Sequence, residues 1–236
     1  MPRKKIVFVI VEGLSDEDAI GTLLTRIYNK NEVHVEVVHG DITTDYDVNP
    51  NNILAKVGKL VKNYAGRIFK PKDFERIIHI TDTDGVYIPD ENIIEDAAMK
   101  KPFYTVTDIR TMDKEKIVKR NKRKRENLNR LSTTPEIWKV PYQIYYMSCN
   151  LDHVLYGKQN SSDEEKERDS LIFAKKYMDD IPGFVKFIAE SEFSVADGYP
   201  QSWQFIREEL HSLERYTNFG LCITEPADAA AKTLAE

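Results

Sequence analysis

The chain has 236 residues, 41% of them hydrophobic and 31% charged, with only 10 Gly and 10 Pro. This excludes a disordered, collagen-like or low-complexity chain and predicts one large α/β domain, or a core with an appendage. Lys and Arg number 34 against 39 Asp and Glu, a net charge of −5, so any contact with nucleic acid must use a local basic patch, not the whole surface.

Two cysteines, Cys149 and Cys222, supply neither a disulfide framework nor a four-thiolate zinc site and point to a reducing compartment. The basic start, residues 1–5, precedes an apolar run that stops after six residues at Glu12. That run is too short for a secretion signal or a membrane span. The expectation is a cytoplasmic chain that does not enter a membrane.

Residues 6–11 (IVFVIV) have the continuous β-branched pattern of a parallel strand covered on both faces. Glu12-Gly13 end it. Ser15 then reads as an N-cap, with Asp18 completing an approximate capping box and Ile20, Leu23, Leu24 and Ile27 at helical spacing. Residues 33–38 (VHVEVV) predict a second strand ending at His39-Gly40, and Ile53, Val57, Leu60, Val61 and Tyr64 a helix closed by Gly66. A third strand, residues 76–81 (RIIHIT), runs into Asp82-Thr83-Asp84-Gly85. The order βαβαβ predicts a mostly parallel sheet with its ligand site at the strand carboxyl ends.

Residues 86–139 read as an insertion. Its second part, residues 113–131, is helical and carries nine Lys or Arg between Lys114 and Arg130. Residues 142–147 (YQIYYM) restore a fourth strand, followed by Ser148, Asn150 and a short helix. The core thus spans residues 1–160, and residues 161–236 form a C-terminal helical cap, with one helix carried through Trp203, Phe205, Ile206 and Leu210 and an Ala-rich end, 227–236, expected to fray.

Glu12 and Asp82-x-Asp84 follow strands that converge in such a sheet. Three carboxylates in one crevice repel one another unless a cation compensates, and hard oxygen donors without Cys or His suit Mg²⁺ or Mn²⁺. On these residues, Glu12-Gly13 before a helix opening at Asp16 and Asp82-x-Asp84-Gly85 after the third strand, the chain resembles the Toprim family, and within it the small nucleases of phage-defence systems. The resemblance covers about residues 4–85 and 140–157. It implies a Rossmann-like sheet and a metal-dependent nuclease in which Glu12 does acid/base or metal chemistry and Asp82 and Asp84, with Asp16 beside them, hold the metal. It also implies a DNA or RNA substrate and a separate ATPase partner, since the chain has no G-x-x-x-x-G-K-[ST] loop. The oligomeric state is left open, a homodimer included.

The same residues admit plainer roles. Glu12 and Asp16 suit the positive end of a helix, and Asp82, Asp84 and Gly85 suit a turn. Gly13, Gly85, Ser148 and Asn150 stand at the site's edge, Ser148 and Asn150 being equally suited to capping. His79 reads as a core residue and His153 as a helix flank. Lys119, Arg120, Lys122, Arg123, Lys124 and Arg125 are too nearly consecutive to share one helical face, and read either as a solvated helix or as phosphate contacts. Two further classes compete with the nuclease. In a haloacid-dehalogenase-type phosphatase, Asp82 would be the nucleophile and Asp84 the acid/base, with Ser148, Lys158 and Asp179-Asp180 completing the site. The other is a non-catalytic partner module.

Overall fold

The computed structural model describes residues 4–224, so the Ala-rich end lies outside the described residues. In chain order the first elements are β1 (Ile6–Val11), α1 (Leu14–Ile27), β2 (Glu32–Val37), α2 (Ile53–Ala65) and β3 (Phe74–Asp82). Then come β4 (Ile93–Glu95), β5 (Phe103–Tyr104), β6 (Ile109–Thr111), α3 (Lys114–Ser132), β7 (Glu136–Ile137) and β8 (Val140–Met147). The described chain finishes with α4 (Leu151–Tyr156), α5 (Asp163–Tyr177), α6 (Ile181–Glu190), α7 (Tyr199–Phe205) and α8 (Phe219–Thr224).

The main sheet has the order β2-β1-β3-β8-β7, with β2, β1, β3 and β8 parallel and only the short edge strand β7 antiparallel. This is an α/β, Rossmann-like architecture. Every residue of β1 is buried, as its uninterrupted apolar run requires of a strand covered on both faces. His79 lies in the core as expected, its Nδ1 2.8 Å from the Tyr142 hydroxyl, and burial pulls its pKa down to about 4. Between β3 and β8 the chain builds a second sheet, β4-β6-β5, and then α3.

Two local expectations are corrected. Ser15 does not cap α1; Gly13 does, in extended conformation, and the Asp16 carboxylate accepts the Gly13 N–H at 2.9 Å. The first turn is thereby tied back by the residue three positions into the helix, not by the hydroxyl. The last amphipathic stretch also stops early: α7 ends at Phe205 and the chain continues in turns.

Those turns lie beside β8, whose outer edge β7 covers only at its start. Unpaired strand edges leave backbone groups to be satisfied. The Tyr146 N–H donates to Asn218 Oδ1 at 2.8 Å, Thr217 Oγ1 donates to the Tyr146 carbonyl at 2.7 Å, and the Tyr199 hydroxyl meets both backbone groups of Ile144. The C-terminal segment is thus fastened to the strand that leads into the candidate site, while α5 packs along α1 on the sheet.

Candidate functional site

Three parallel strands end together, and each delivers a carboxylate. Glu12 follows β1, Asp82 ends β3 with Asp84 just beyond it, and Asp41 follows β2. The neighbouring backbones lock them in place. Glu12 Oε1 accepts the Asp82 N–H at 3.1 Å and the Thr81 hydroxyl at 3.0 Å. Asp82 Oδ1 accepts the Leu151 N–H at 2.9 Å, at the first residue of α4. Asp84 stands in left-handed backbone, φ 51°, and its N–H donates to the Cys149 carbonyl at 2.8 Å. A non-glycine residue held at positive φ marks a loop fixed by its surroundings. Gly85 follows at φ 66°, and a Cβ there would lie 2.5 Å from Leu213 Cδ2. Only glycine meets both the dihedral and the close approach.

At the centre is Lys124. Its side chain is 0% exposed, and its Nζ lies 2.7 Å from both Asp84 Oδ2 and Asp41 Oδ2 and 3.9 Å from Glu12 Oε1. The basic segment forms a helix with two different faces. Arg120, one turn before Lys124, donates to the Asp84 carbonyl at 3.0 Å and to the Tyr104 hydroxyl at 2.7 Å. Arg123 donates to the Thr44 carbonyl at 3.0 Å. Lys119 and Lys122 are exposed and Arg125 is half-buried. The reading of Lys124 as a phosphate contact is therefore corrected: a four-carbon stem at the right helical position reaches the acidic cluster, and the ammonium is withdrawn from solvent.

Burial and the neighbouring charges together set the protonation. Burial raises Glu12 most, and Asp41, Asp84 and Asp16 add to it against the pull of Lys124, leaving its pKa at about 8. Burial and the nearby charges of Glu12, Asp16 and Asp84 push Asp82 well above the carboxylate range. Asp16 rises to about 6, chiefly by burial. Burial would raise Asp84 too, but Lys124 and Arg120 beside it hold it below its ordinary value. Burial disfavours the charged form of Lys124, yet Asp41, Asp84 and Glu12 together hold it protonated far above neutrality. Lys124 and Arg120 thus offset only part of the charge of five carboxylates, and Glu12, Asp82 and Asp16 respond by holding their protons more tightly.

In this arrangement no group of three or more His, Cys, Asp or Glu side chains among the described residues is gathered closely enough to hold an ion. The donor chemistry nonetheless fits a hard divalent cation. The acidic donors are carboxylate oxygens, and burial and mutual repulsion make the ionised forms of Glu12 and Asp82 costly, a cost that such an ion would offset. Asp82 and Asp84 open into a cleft of about 420 Å³ whose other walls include Lys100, Lys101, Lys166, Tyr104 and Asn150.

The remaining sequence candidates fall outside this chemistry. Ser148 donates its hydroxyl to the carbonyls of His211 and Glu214. Asn150 caps α4, accepting the His153 N–H at 2.9 Å, although it also lines the cleft. Gly13 only opens α1. Lys158 pairs with Asp169 at 2.5 Å, Asp179 lies 3.7 Å from Arg26, and Asp180 caps α6, so the later groups of a phosphatase site are not brought to Asp82. Asp41 and the wall lysines escaped the sequence reading. The signal for Asp41 was present: Gly40-Asp41 ends the second strand as Glu12-Gly13 ends the first. The wall lysines are placed by tertiary structure alone.

Comparison of the chain with models of protein families, with curated proteins and with solved structures finds no match in any of the three. No helix among the described residues is long and apolar enough to cross a membrane.

Proposed function

We propose that this chain is a metal-dependent nuclease of the Toprim type, hydrolysing phosphodiester bonds of DNA or RNA. The observation that carries the reading is one cleft with an acidic floor, Asp82 and Asp84 beside Glu12, and cationic walls, Lys100, Lys101 and Lys166. An acidic floor alone would repel a polyanion, and basic walls alone would bind it without chemistry.

Asp82, with Glu12 and Asp84, would hold Mg²⁺ or Mn²⁺. That ion, when bound, supplies positive charge to the scissile phosphate and acidifies a water. The chain's own groups do the rest. Glu12, at about 8, exchanges a proton near neutral pH, as a general base or acid must. Lys124 neutralises Asp41 and Asp84, and the wall lysines receive the flanking phosphates. The separate ATPase partner belongs to the same reading.

The test is single-turnover cleavage of labelled DNA and RNA in Mg²⁺ and Mn²⁺. Glu12→Gln keeps the acceptor for Thr81 and the Asp82 N–H but removes the base, and should slow cleavage by about 10² or more. Full activity of Glu12→Gln refutes the mechanism, and no cleavage of any substrate by the wild-type chain, alone or with a co-expressed ATPase, refutes the function.

A further inference from the structure

A second cavity, about 590 Å³, opens beside the carboxylate cleft, with Thr44, Lys116, Lys119 and Arg123 on its walls. Pro102 lines both cavities. Arg120 lines the second while its guanidinium donates to the Asp84 carbonyl at 3.0 Å, so the two spaces meet at one residue. The second is not uniformly basic: Asp113 and Glu115 also line it, Asp113 capping α3 and Glu115 lying 3.4 Å from Lys119. Lys116 and Arg123 keep their charge free of any carboxylate partner among the described residues.

Two aromatic rings flank this path. Tyr46 is 93% exposed, with the Arg123 guanidinium 5.7 Å from its ring centroid, and Arg123 is itself fixed by its bond to the Thr44 carbonyl. Phe103, on the wall of the carboxylate cleft, is 42% exposed. Folding buries almost none of the Tyr46 ring, and a tethered guanidinium beside it presents a ready surface for a planar group. Exposed aromatics interleaved with cations along a groove suit bases whose faces are free, and a duplex keeps those faces stacked inside.

We propose that the joined cavities form a track for single-stranded nucleic acid, in which Lys116 and Arg123 hold phosphates, Phe103 stacks an unpaired base at the carboxylate cleft and Tyr46 stacks another beside Arg123. This deepens the nuclease reading by naming the substrate class, and it rests on that reading for the position of the scissile bond.

The test measures binding in EDTA, where no cleavage occurs. Fluorescence anisotropy compares a labelled 12-nucleotide single-stranded DNA, the RNA of the same sequence and the matching duplex, across a salt series. Single strands should bind at least tenfold more tightly than duplex, the two sugar types showing which is preferred. Tyr46→Ala should weaken single-strand binding by about 5- to 150-fold, the range set by loss of one base stack, with an unchanged salt slope. Tyr46→Phe should stay within twofold of wild type, and Lys116→Ala should lower the slope by about 0.7. Duplex bound as tightly as single strands, Tyr46→Ala within twofold of wild type, Tyr46→Phe as weak as the alanine variant, or a slope unmoved by Lys116→Ala each overturns the proposal. A chain that binds single strands in EDTA but never cleaves when metal is restored refutes the nuclease reading alone; one that cleaves but prefers duplex refutes the track alone.

Discussion

Replacing Lys124 by Met tests the electrostatic account of the site most directly. The substitution keeps the length and the apolar stem but deletes an ammonium that lies 2.7 Å from Asp41 and from Asp84 and 3.9 Å from Glu12. Removing one partner of a buried pair leaves the other charge unpaired, at about 3–5 kcal/mol. For a chain of this size that corresponds to a fall in Tm of roughly 6–20 °C. The pH dependence has a definite sign. Lys124 has its folded pKa raised well above its ordinary value, so its contribution is complete below the unfolded lysine pKa and is lost only as pH climbs through the folded one. Asp84 is depressed in the folded state, so its contribution is present above the unfolded value and disappears as pH falls through the folded one. Without the ammonium the carboxylates rise, the folded state binds more protons than the unfolded, and stability drops as pH increases. Lys124→Met should therefore cost most at pH 8 and markedly less at pH 5. Urea unfolding at both pH values measures this, with exposed Lys119→Met, expected within about 0.5 kcal/mol of wild type, as the control. A loss at pH 8 under about 1 kcal/mol, or one equal at both pH values, would refute the reasoning.

Two further outcomes follow from the same geometry. Under the proposed metal role, protons and Mg²⁺ compete for Glu12, at about 8, and for the raised Asp82, so Mg²⁺ at 100 times its Kd should stabilise the chain by about 2.7 kcal/mol at pH 8.5 and clearly less at pH 6. Differential scanning fluorimetry reads the shift, and one that is equal at both pH values or survives in Asp82→Asn would contradict the metal assignment. Gly85→Ala should cost about 2–4 kcal/mol in urea unfolding, because it combines positive φ with a Cβ 2.5 Å from Leu213; a change under 1 kcal/mol would show that the loop yields.

Much of the frame could be read from local pattern. Residues 6–11 form β1 as their apolar run requires, Gly66 closes α2, and the stretch read as helical at 113–131 is α3, capped by Asp113. Glu12, Asp82 and Asp84 could be singled out because parallel strands carry their carboxyl ends to one edge, a rule of topology that needs no coordinates. The start of α1 is ambiguous in the sequence because a serine and a glycine are both acceptable caps, and the Asp16 carboxylate folding back on the Gly13 N–H settles the competition. What α3 does was not legible at all. Six nearly consecutive cations look equivalent in a sequence, and helical spacing says only that Arg120 and Lys124 share a face. Which way that face points depends on where the helix lies against the strand ends, and that is set by long-range packing. Tertiary structure alone therefore turned Lys124 inward as the counter-ion of Asp41 and Asp84, left Lys119 and Lys122 to solvent, and brought Lys100, Lys101 and Lys166 from distant segments to one cleft. A charge's role depends on its distance to other charges and on the dielectric around it, and neither is a property of its position along the chain.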